Sequence, residues 1–334
     1  MADRIKVGVV GVGDFGRHHV RLYRELDGAE LVGVCDADTA RARTIAQEFS
    51  THTFDSLSAL AESAQAVSVA VPTQHHAGVA GELLQRGCDV LVEKPIAASL
   101  AEADELVRTA EAGGRILQVG HTERFNPAVV AAAGVVTQPL FFEVHRLGVF
   151  SGRSLDVDVI FDLMIHDLDI LLSFVPQRVE QVHAVGIPIL SSKVDIASVR
   201  LEFANGCVAN LTASRVSTEK VRKLRFFQPH TYVSIDFTRQ DVLMISLDPA
   251  KATGAASPLG LPAGLSICKL ETKPEEPLRA ELRSFLEAVR TRRPGPADGR
   301  DGRRALALAE QVAEAIAAHA HKLPPSVVPA PATK

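Results

Sequence analysis

The chain has 334 residues, more than a typical single domain, and this length predicts about two domains. Hydrophobic residues make up 46% and charged residues 23%, an ordinary composition that excludes wholesale disorder and a fibrous repeat. The formal net charge of -4 excludes a general attraction to nucleic acid or to anionic lipid. An anionic ligand would therefore need a local cluster of basic side chains.

The amino terminus leads directly into a glycine motif, without the basic start, apolar run and cleavage site of a signal peptide. No apolar stretch approaches the length of a membrane span, so no membrane partner is expected. The sequence has four isolated cysteines: Cys35, Cys88, Cys207 and Cys268. They form neither a CxxC pair nor a metal-ligand spacing. These features predict a cytoplasmic protein with reduced, mostly buried thiols and no metal site.

In the first third of the chain, short apolar runs alternate with segments of helical periodicity. The predicted strands cover residues 5–10, 30–35, 66–71, 89–92 and 115–119. The predicted helices cover residues 14–26, 38–48, 75–86 and 99–112. This alternation predicts a doubly wound α/β domain with a parallel sheet, and we assign it residues 1–122.

The second predicted domain, residues 123–334, has a different pattern. Its predicted strands cover residues 140–147, 179–187, 194–203, 207–214, 221–227, 231–236 and 241–246. Its predicted helices cover residues 124–133, 159–174, 278–292 and 302–321, with a loop at 251–277. Short turns link the strands, so we expect an α/β domain with a mostly antiparallel open sheet that binds substrate and forms oligomers.

A GxGxxG motif follows the first predicted strand and consists of Gly11, Val12, Gly13, Asp14, Phe15 and Gly16. Gly11 permits a tight turn, Gly13 lets the backbone approach a diphosphate, and Gly16 allows close helix packing. Asp36 ends the second strand 20 residues after Gly16, where a carboxylate binds the adenosine ribose and repels a 2'-phosphate. The pattern predicts a Rossmann domain that prefers NAD over NADP. The alternative is an ordinary strand-to-helix turn beside a solvated aspartate.

Further candidates follow later strands of the same sheet, because ligands of open α/β sheets bind at the carboxyl ends of the strands. Thr73, Gln74 and His76 follow the third strand and are candidate cofactor contacts, as are Glu93 and Lys94 after the fourth. Lys94 could also hydrogen-bond a reacting hydroxyl and lower its pKa, which makes it a catalytic candidate. The alternative for a Lys-Pro pair at a strand end is a surface loop.

Three polar residues, Asp162, His166 and Asp169, interrupt an apolar helical segment. At 100° per residue they fall on one narrow arc of the helix. A carboxylate can fix the tautomer of an imidazole and raise its basicity, so His166 is a candidate general base with Asp162 as its partner. One alternative is a structural histidine near a helix terminus. The other is a metal site, for which a single histidine has poor zinc spacing.

Candidate diphosphate donors in the second domain are Arg124, Arg153, Arg215, Lys220, Arg222 and Lys223. Arg124 and Arg153 flank the motifs that carry the candidate catalytic residues, which favours ligand contact. The segment 215–225 has an alternative role as a charged strand edge that resists aggregation.

Together, the segments GVGDFG, VCDAD, VPTQHH, VEKP, GHTERFNP, DLMIHDLD and DGRDGRRALALAEQ resemble the Gfo/Idh/MocA oxidoreductases over nearly the whole chain. The resemblance implies a Rossmann domain joined to an α/β domain with an open sheet. It also implies that Lys94, Asp162 and His166 lie against the substrate carbinol and the nicotinamide C4. Met164 departs from the family pattern, since many members have glycine there.

Within the family, residues 120–127, 151–156 and 162–170 are most similar to the members that oxidise C3 of UDP-N-acetylglucosamine, which supplies 3-amino sugar for lipid A. This similarity implies a nucleotide-sugar substrate. The substrate contacts that we expect are Lys94, His121, Arg124, Asn126, Arg153, Asp162 and His166.

In the expected mechanism the sugar lies between the domains, Lys94 stabilises the alkoxide, and His166, held by Asp162, accepts the hydroxyl proton. The sequence leaves open whether Lys94 or His166 takes that proton. Two alternative functions are an inositol or free-sugar dehydrogenase and a non-catalytic NAD-binding sensor. The resemblance further implies homodimers or homotetramers, for which an uncovered face of the second sheet is the expected contact.

Overall fold

The computed structural model describes residues 4–150, 157–251 and 262–322, which divide into two compact units. The first unit comprises residues 4–125 and 275–307, and the second comprises the other described residues. The domain boundary predicted from the sequence, after residue 122, assigns residues 275–307 to the second domain. The structure groups this segment with the first unit because Leu278, Leu282 and Phe285 share a buried core with the first strand.

The first unit contains a six-stranded sheet and its covering helices. The strands are β1 (Ile5–Val10), β2 (Ala29–Cys35), β3 (His52–Thr53), β4 (Ala66–Val69), β5 (Asp89–Glu93) and β6 (Leu117–Gly120). The helices are α1 (Asp14–Glu25), α2 (Thr39–Glu48), α3 (Leu57–Ser63), α4 (His76–Gln85) and α5 (Leu100–Ala112). The strand order is β3-β2-β1-β4-β5-β6 and every pairing is parallel, which confirms the predicted doubly wound sheet.

Local sequence signals explain where these elements begin. The side chains of Asp38, Ser56 and Ser99 accept backbone N–H groups at the starts of α2, α3 and α5. Every residue of β4 and β5 is buried, as expected for strands of a sheet covered on both faces. Strand β3 and helix α3 were not predicted. A strand of two exposed residues leaves no hydrophobic pattern, and the seven residues of α3 bury only Leu60, which is too few for a helical period.

The second unit contains an eight-stranded sheet. Its strands are β7 (Phe141–Leu147), β8 (Val179–Ile187), β9 (Ile196–Phe203), β10 (Val208–Ser214), β11 (Val221–Gln228), β12 (Thr231–Asp236), β13 (Asp241–Leu247) and β14 (Leu265–Lys269). The order is β14-β13-β12-β11-β7-β10-β9-β8, with β7 and β10 parallel and the other neighbours antiparallel. The mostly antiparallel sheet was predicted, but β14 lies within the predicted loop 251–277. Its pairing with β13 comes from tertiary contact, which local composition does not encode.

The remaining helices are α6 (Pro127–Ala133), α7 (Ile165–Phe174), α8 (Pro277–Thr291) and α9 (Gly299–Ala320). Helix α7 packs on one face of the second sheet, where the ring of Phe174 lies 6.5 Å from that of Phe142 and 6.0 Å from that of Phe226. The sheet therefore supports the helix that carries His166.

Candidate active site

The glycine motif forms the turn between β1 and α1. Gly11 has a φ of +82°, in the left-handed region that favours glycine. A Cβ atom on Gly16 would lie 1.8 Å from the Gly11 carbonyl oxygen, so the turn can close only without a side chain there. A Cβ on Gly13 would meet nothing within 4 Å. Gly13 is the N-cap residue of α1, and it has no side chain that could accept the N–H groups of the first turn. The backbone is thus open to an anion at the helix start, as a dinucleotide diphosphate requires.

Asp36 lies against this turn at the carboxyl end of β2. Its Oδ2 accepts the Val12 N–H at 2.7 Å, and its Oδ1 accepts the Asp38 N–H at 2.8 Å. Arg41 places Nη1 3.7 Å from Asp36 Oδ2 and Nη2 3.2 Å from Asp38 Oδ2. Sequence reasoning found Asp36 but missed Arg41, for which its position five residues downstream on α2 was the available signal.

A cavity of about 630 Å³ opens beside these residues. It is lined by Val10, Gly11, Gly13, Asp14, Phe15, Cys35, Asp36, Ala37, Arg41, Asp55, Ser56, Leu57, Ala70, Val71, Pro72, His75 and Val79. Its size is in the range of small-molecule and cofactor sites. Thr73 and Gln74 lie in a short 3₁₀ helix between the lining residues Pro72 and His75, and their contact with the cofactor stays a prediction.

His76, the first residue of α4, is 1% exposed. Its Nδ1 lies 2.8 Å from the Pro95 carbonyl oxygen and its Nε2 lies 2.9 Å from the Val71 carbonyl oxygen. Burial lowers the pKa of His76, although both carbonyls act in the opposite direction. The ring thus lies between the loops after β4 and β5, and in its neutral form it donates to one of the two carbonyl oxygens. The sequence did not reveal this buried position.

Lys94 follows β5 at the same carboxyl edge of the sheet as the glycine turn. The preceding residue, Glu93, places Oε1 3.0 Å from Nε2 of the buried His19 on α1. A Cβ atom on Gly120 of β6 would lie 2.7 Å from the Glu93 carboxylate. Two elements of the first unit therefore confine the side chain that precedes Lys94.

The predicted substrate residues after β6 make contacts within their own units. His121 is 1% exposed, and Arg124 Nη1 lies 3.5 Å from Asp301 Oδ2. Asn126 caps α6 by accepting the Ala128 N–H at 3.1 Å and donates to the Phe237 carbonyl at 3.1 Å. Arg124 thus forms an ion pair with Asp301, and Asn126 caps α6 and links it to Phe237.

The segment around His166 differs from the continuous helix that was predicted at 159–174. Residues Ile160–Met164 form a π-helical turn, and regular α-helix begins at Ile165. The wider turn rotates each residue by less than the 100° from which Asp162, His166 and Asp169 were placed on one arc, and the role of Asp162 beside His166 stays a prediction. Asp162 and His166 are partly exposed, whereas Asp169 is 1% exposed. Asp169 therefore belongs to the core side of the helix.

Asp167, beside His166, had no predicted role. Its Oδ2 and Oδ1 accept hydrogen bonds from Arg146 Nε and Nη2, both at 2.7 Å, and both side chains are buried. The Arg146 guanidinium carbon lies 5.0 Å from the centroid of the Phe237 ring. This buried bidentate pair ties the first turn of α7 to β7.

The other predicted diphosphate donors, from the second domain, differ in burial and in their contacts. Arg215 is 6% exposed, with Nε 3.6 Å from Asp195 Oδ1 and Nη2 donating to the Val157 carbonyl. Burial raises the pKa of Asp195, but hydrogen bonds from Ser191 and three backbone amides lower it further, to about 2. Arg215 therefore joins segments of its own unit. Lys220 is exposed, Arg222 and Lys223 lie on opposite faces of β11, and Arg153 lies outside the described residues.

Profiles of two domains match the chain. The profile of the Gfo/Idh/MocA oxidoreductase family, with an NAD-binding Rossmann fold, matches residues 5–121, and that of the Gfo/Idh/MocA C-terminal domain matches residues 134–231. The chain belongs to the Gfo/Idh/MocA oxidoreductase family. Membership confirms the predicted NAD-binding Rossmann domain and an oxidoreductase of the class that acts on CH–OH groups.

The chain is similar over most of its length to individual dehydrogenases of this family. UDP-N-acetylglucosamine 3-dehydrogenase from Acidithiobacillus ferrooxidans is 38% identical over 94% of this chain and 98% of its own. A solved structure of that enzyme has a TM-score of 0.86 at 36% identity and covers 95% of this chain and 99% of its own. An inositol 2-dehydrogenase from Rubrobacter xylanophilus is 33% identical over 65% of this chain and 66% of its own.

The described residues contain neither a membrane-spanning helix nor a cluster of metal-binding side chains. Within residues 4–150, 157–251 and 262–322, no helix is long and apolar enough to cross a membrane. The same described segments contain no group of three or more His, Cys, Asp and Glu side chains placed to hold a metal ion. The predicted location in the cytoplasm stays a prediction.

Proposed function

We propose that the protein uses NAD to oxidise C3 of UDP-N-acetylglucosamine to a ketone, as a step in the supply of amino sugar for lipid A. The observation that carries the proposal is the position of Lys94, which follows β5 at the sheet edge that also holds the glycine turn and Asp36. The similarity to the Acidithiobacillus enzyme over nearly the whole of both chains supports the choice of sugar.

The cofactor site fits NAD because the glycine turn is open at Gly13 and the Asp36 carboxylate lies where the adenosine ribose is bound in Rossmann folds. When bound, NAD supplies the acceptor for the hydride. Lys94 donates a hydrogen bond to the reacting oxygen and stabilises its negative charge. His166 accepts the hydroxyl proton, and Asp162 orients the imidazole for that task.

The diphosphate of the substrate requires cationic donors on a chain of net charge -4. We assign this role to Arg124 and Arg153. The Arg124 side chain is 12% exposed and its guanidinium is paired with Asp301, so it is held in one place before a ligand arrives. A planar guanidinium matches a phosphate with two parallel hydrogen bonds.

We also propose that the protein forms a homodimer or homotetramer through the open face of the second sheet. Register pairs place an apolar row across five strands, and this row consists of Phe141, Phe227, Tyr232, Ile245 and Ile267. Phe227 is 36% and Ile267 58% exposed, and contiguous exposed apolar surface of this kind favours a protein contact. Phe227→Glu places a charge in this row and should lower the mass of the oligomer measured by sedimentation. Val130→Glu, at an exposed apolar site on α6, should leave that mass unchanged.

The test of the enzymatic proposal is NADH formation, followed by absorbance, across a panel of UDP-sugars, free sugars and inositols. We expect the highest kcat/KM with UDP-N-acetylglucosamine, and product analysis should find the ketone at C3. A higher kcat/KM with myo-inositol would favour the second candidate, an inositol dehydrogenase, to which the Rubrobacter relative points. No turnover with any member of the panel would favour a non-catalytic NAD sensor.

A further inference from the structure

Two buried histidines hold the residues on either side of Lys94. His19 of α1 is 0% exposed, and its Nε2 lies 3.0 Å from Oε1 of Glu93, the residue before Lys94. His76 of α4 is 1% exposed, and its Nδ1 lies 2.8 Å from the carbonyl oxygen of Pro95, the residue after Lys94. Each neighbour of Lys94 is therefore held by a different imidazole.

The same histidines also contact the walls of the cofactor cavity. The ring of His19 lies 5.6 Å from that of Phe15, a lining residue from the glycine motif. The Nε2 of His76 lies 2.9 Å from the carbonyl oxygen of Val71, another lining residue. Each histidine thus lies between one part of the cavity wall and one chain neighbour of Lys94.

Lys94 directly follows Glu93, the last residue of the fully buried strand β5. Register pairs place Glu93 opposite Gly120 of β6, and the absence of a side chain at Gly120 leaves room for the Glu93 carboxylate. Hydrogen bonds in such buried surroundings are stronger than in water, so the two imidazoles can fix the Glu93 side chain and the Pro95 carbonyl, which belong to the two chain neighbours of Lys94.

We infer that His19 and His76 are positioning residues that hold Lys94 at the reacting hydroxyl. This inference rests on the proposed function, because it requires Lys94 to act on the substrate. Neither histidine needs to touch the substrate. A misplacement of a catalytic group by about 1 Å can cost about a hundredfold in rate, so modest loosening of either hydrogen bond should be visible in kcat.

Asn and Gln variants test this geometry, because each amide reproduces only one ring nitrogen. A Gln amide reaches the position of Nε2 and an Asn amide that of Nδ1. We expect His19→Gln and His76→Asn to keep kcat within about threefold of wild type, and His19→Asn and His76→Gln to lose about tenfold or more. Dissociation constants for NADH, measured by fluorescence, should change far less than kcat. The pH profile of kcat/KM should shift only in the impaired variants.

Tyr23→Phe provides the matched control, because it removes another buried hydrogen bond of the first unit, between Tyr23 Oη and Ser68 Oγ at 2.8 Å. It should lower the melting temperature and leave kcat unchanged. Equal kcat for Asn and Gln at each histidine would overturn the inference, as would losses of kcat that merely follow melting temperature. Lys94→Ala separates the two proposals. If it leaves turnover unchanged, the proposed function fails, whereas its inactivity beside fully active histidine variants refutes only the positioning role.

Discussion

The contacts of Asp36 allow a quantitative prediction of cofactor choice. The side chain is 8% exposed, and a 2'-phosphate would replace a ribose hydroxyl that binds to its carboxylate. Two like unit charges 4 Å apart repel by about 1 kcal/mol in water and about 4 kcal/mol at an effective dielectric constant of about 20. Arg41, 3.7 Å from Asp36 Oδ2, offsets part of this repulsion. We expect wild type to prefer NAD over NADP by about ten- to a thousandfold in kcat/KM.

Asp36→Asn removes the charge and keeps an oxygen that can accept the Val12 N–H, so the turn should survive. The preference for NAD should fall by about tenfold or more, because the repulsion is lost while Arg41 stays available to the phosphate. Adding Arg41→Ala should weaken NADP use by about tenfold or more, the effect of one lost charge-assisted hydrogen bond of about 1.5–3 kcal/mol. Arg43→Ala, an exposed arginine on the same helix, is the matched control.

The assay is the ratio of kcat/KM values for NAD and NADP at a fixed concentration of UDP-N-acetylglucosamine, with melting temperatures confirming that each variant is folded. Equal use of both cofactors by the wild type would refute the reasoning. An unchanged ratio in Asp36→Asn would refute it as well.

Three more predictions concern catalysis, substrate binding and stability. Lys94→Ala and His166→Ala should each lower kcat by about a hundredfold or more with little change in NADH affinity, and near-normal turnover would remove that residue from the catalytic pair. Arg124→Ala should raise KM for the nucleotide sugar about tenfold while NADH binding is unchanged, and an unaltered KM would contradict the diphosphate assignment. Since the pKa of Asp195 is lowered to about 2, its stabilising effect is complete above its unfolded pKa near 4 and is lost as pH falls towards 2. Denaturation of Asp195→Asn should therefore show a deficit of roughly 2 kcal/mol at pH 6 that shrinks as the pH falls, and a deficit independent of pH would contradict this account.

The sequence was most informative where function and fold use a local pattern. The spacing from Gly11 to Gly16 and the position of Asp36 are set by one turn between strand and helix, so they could be located without coordinates. The parallel sheet of the first unit followed from strand and helix signals in the same way. Individual catalytic roles for Lys94 and His166 stay predictions, because sequence spacing does not measure their chemistry.

The features that escaped prediction depend on contacts between distant residues. The pairing of Arg146 with Asp167 joins residues 21 apart in sequence, and that of Arg124 with Asp301 joins residues 177 apart. The π-helical turn at Ile160–Met164 changes a register that was calculated for a regular helix. Helix α8 has the periodicity of any amphipathic helix, and nothing local shows that it packs with the core of β1.

The first unit is completed late in synthesis, because it is built from two separate segments of the chain. The polypeptide leaves the first unit after residue 125, returns at 275 and leaves it again after 307. During translation, the amino-terminal sheet therefore emerges long before α8, whose Leu278, Leu282 and Phe285 complete its core. Until then, the nascent domain has apolar surface that is open to chaperones or to misassociation. For the same reason, a recombinant fragment that stops near residue 122 would lack part of its own interior and should be less soluble than the full chain.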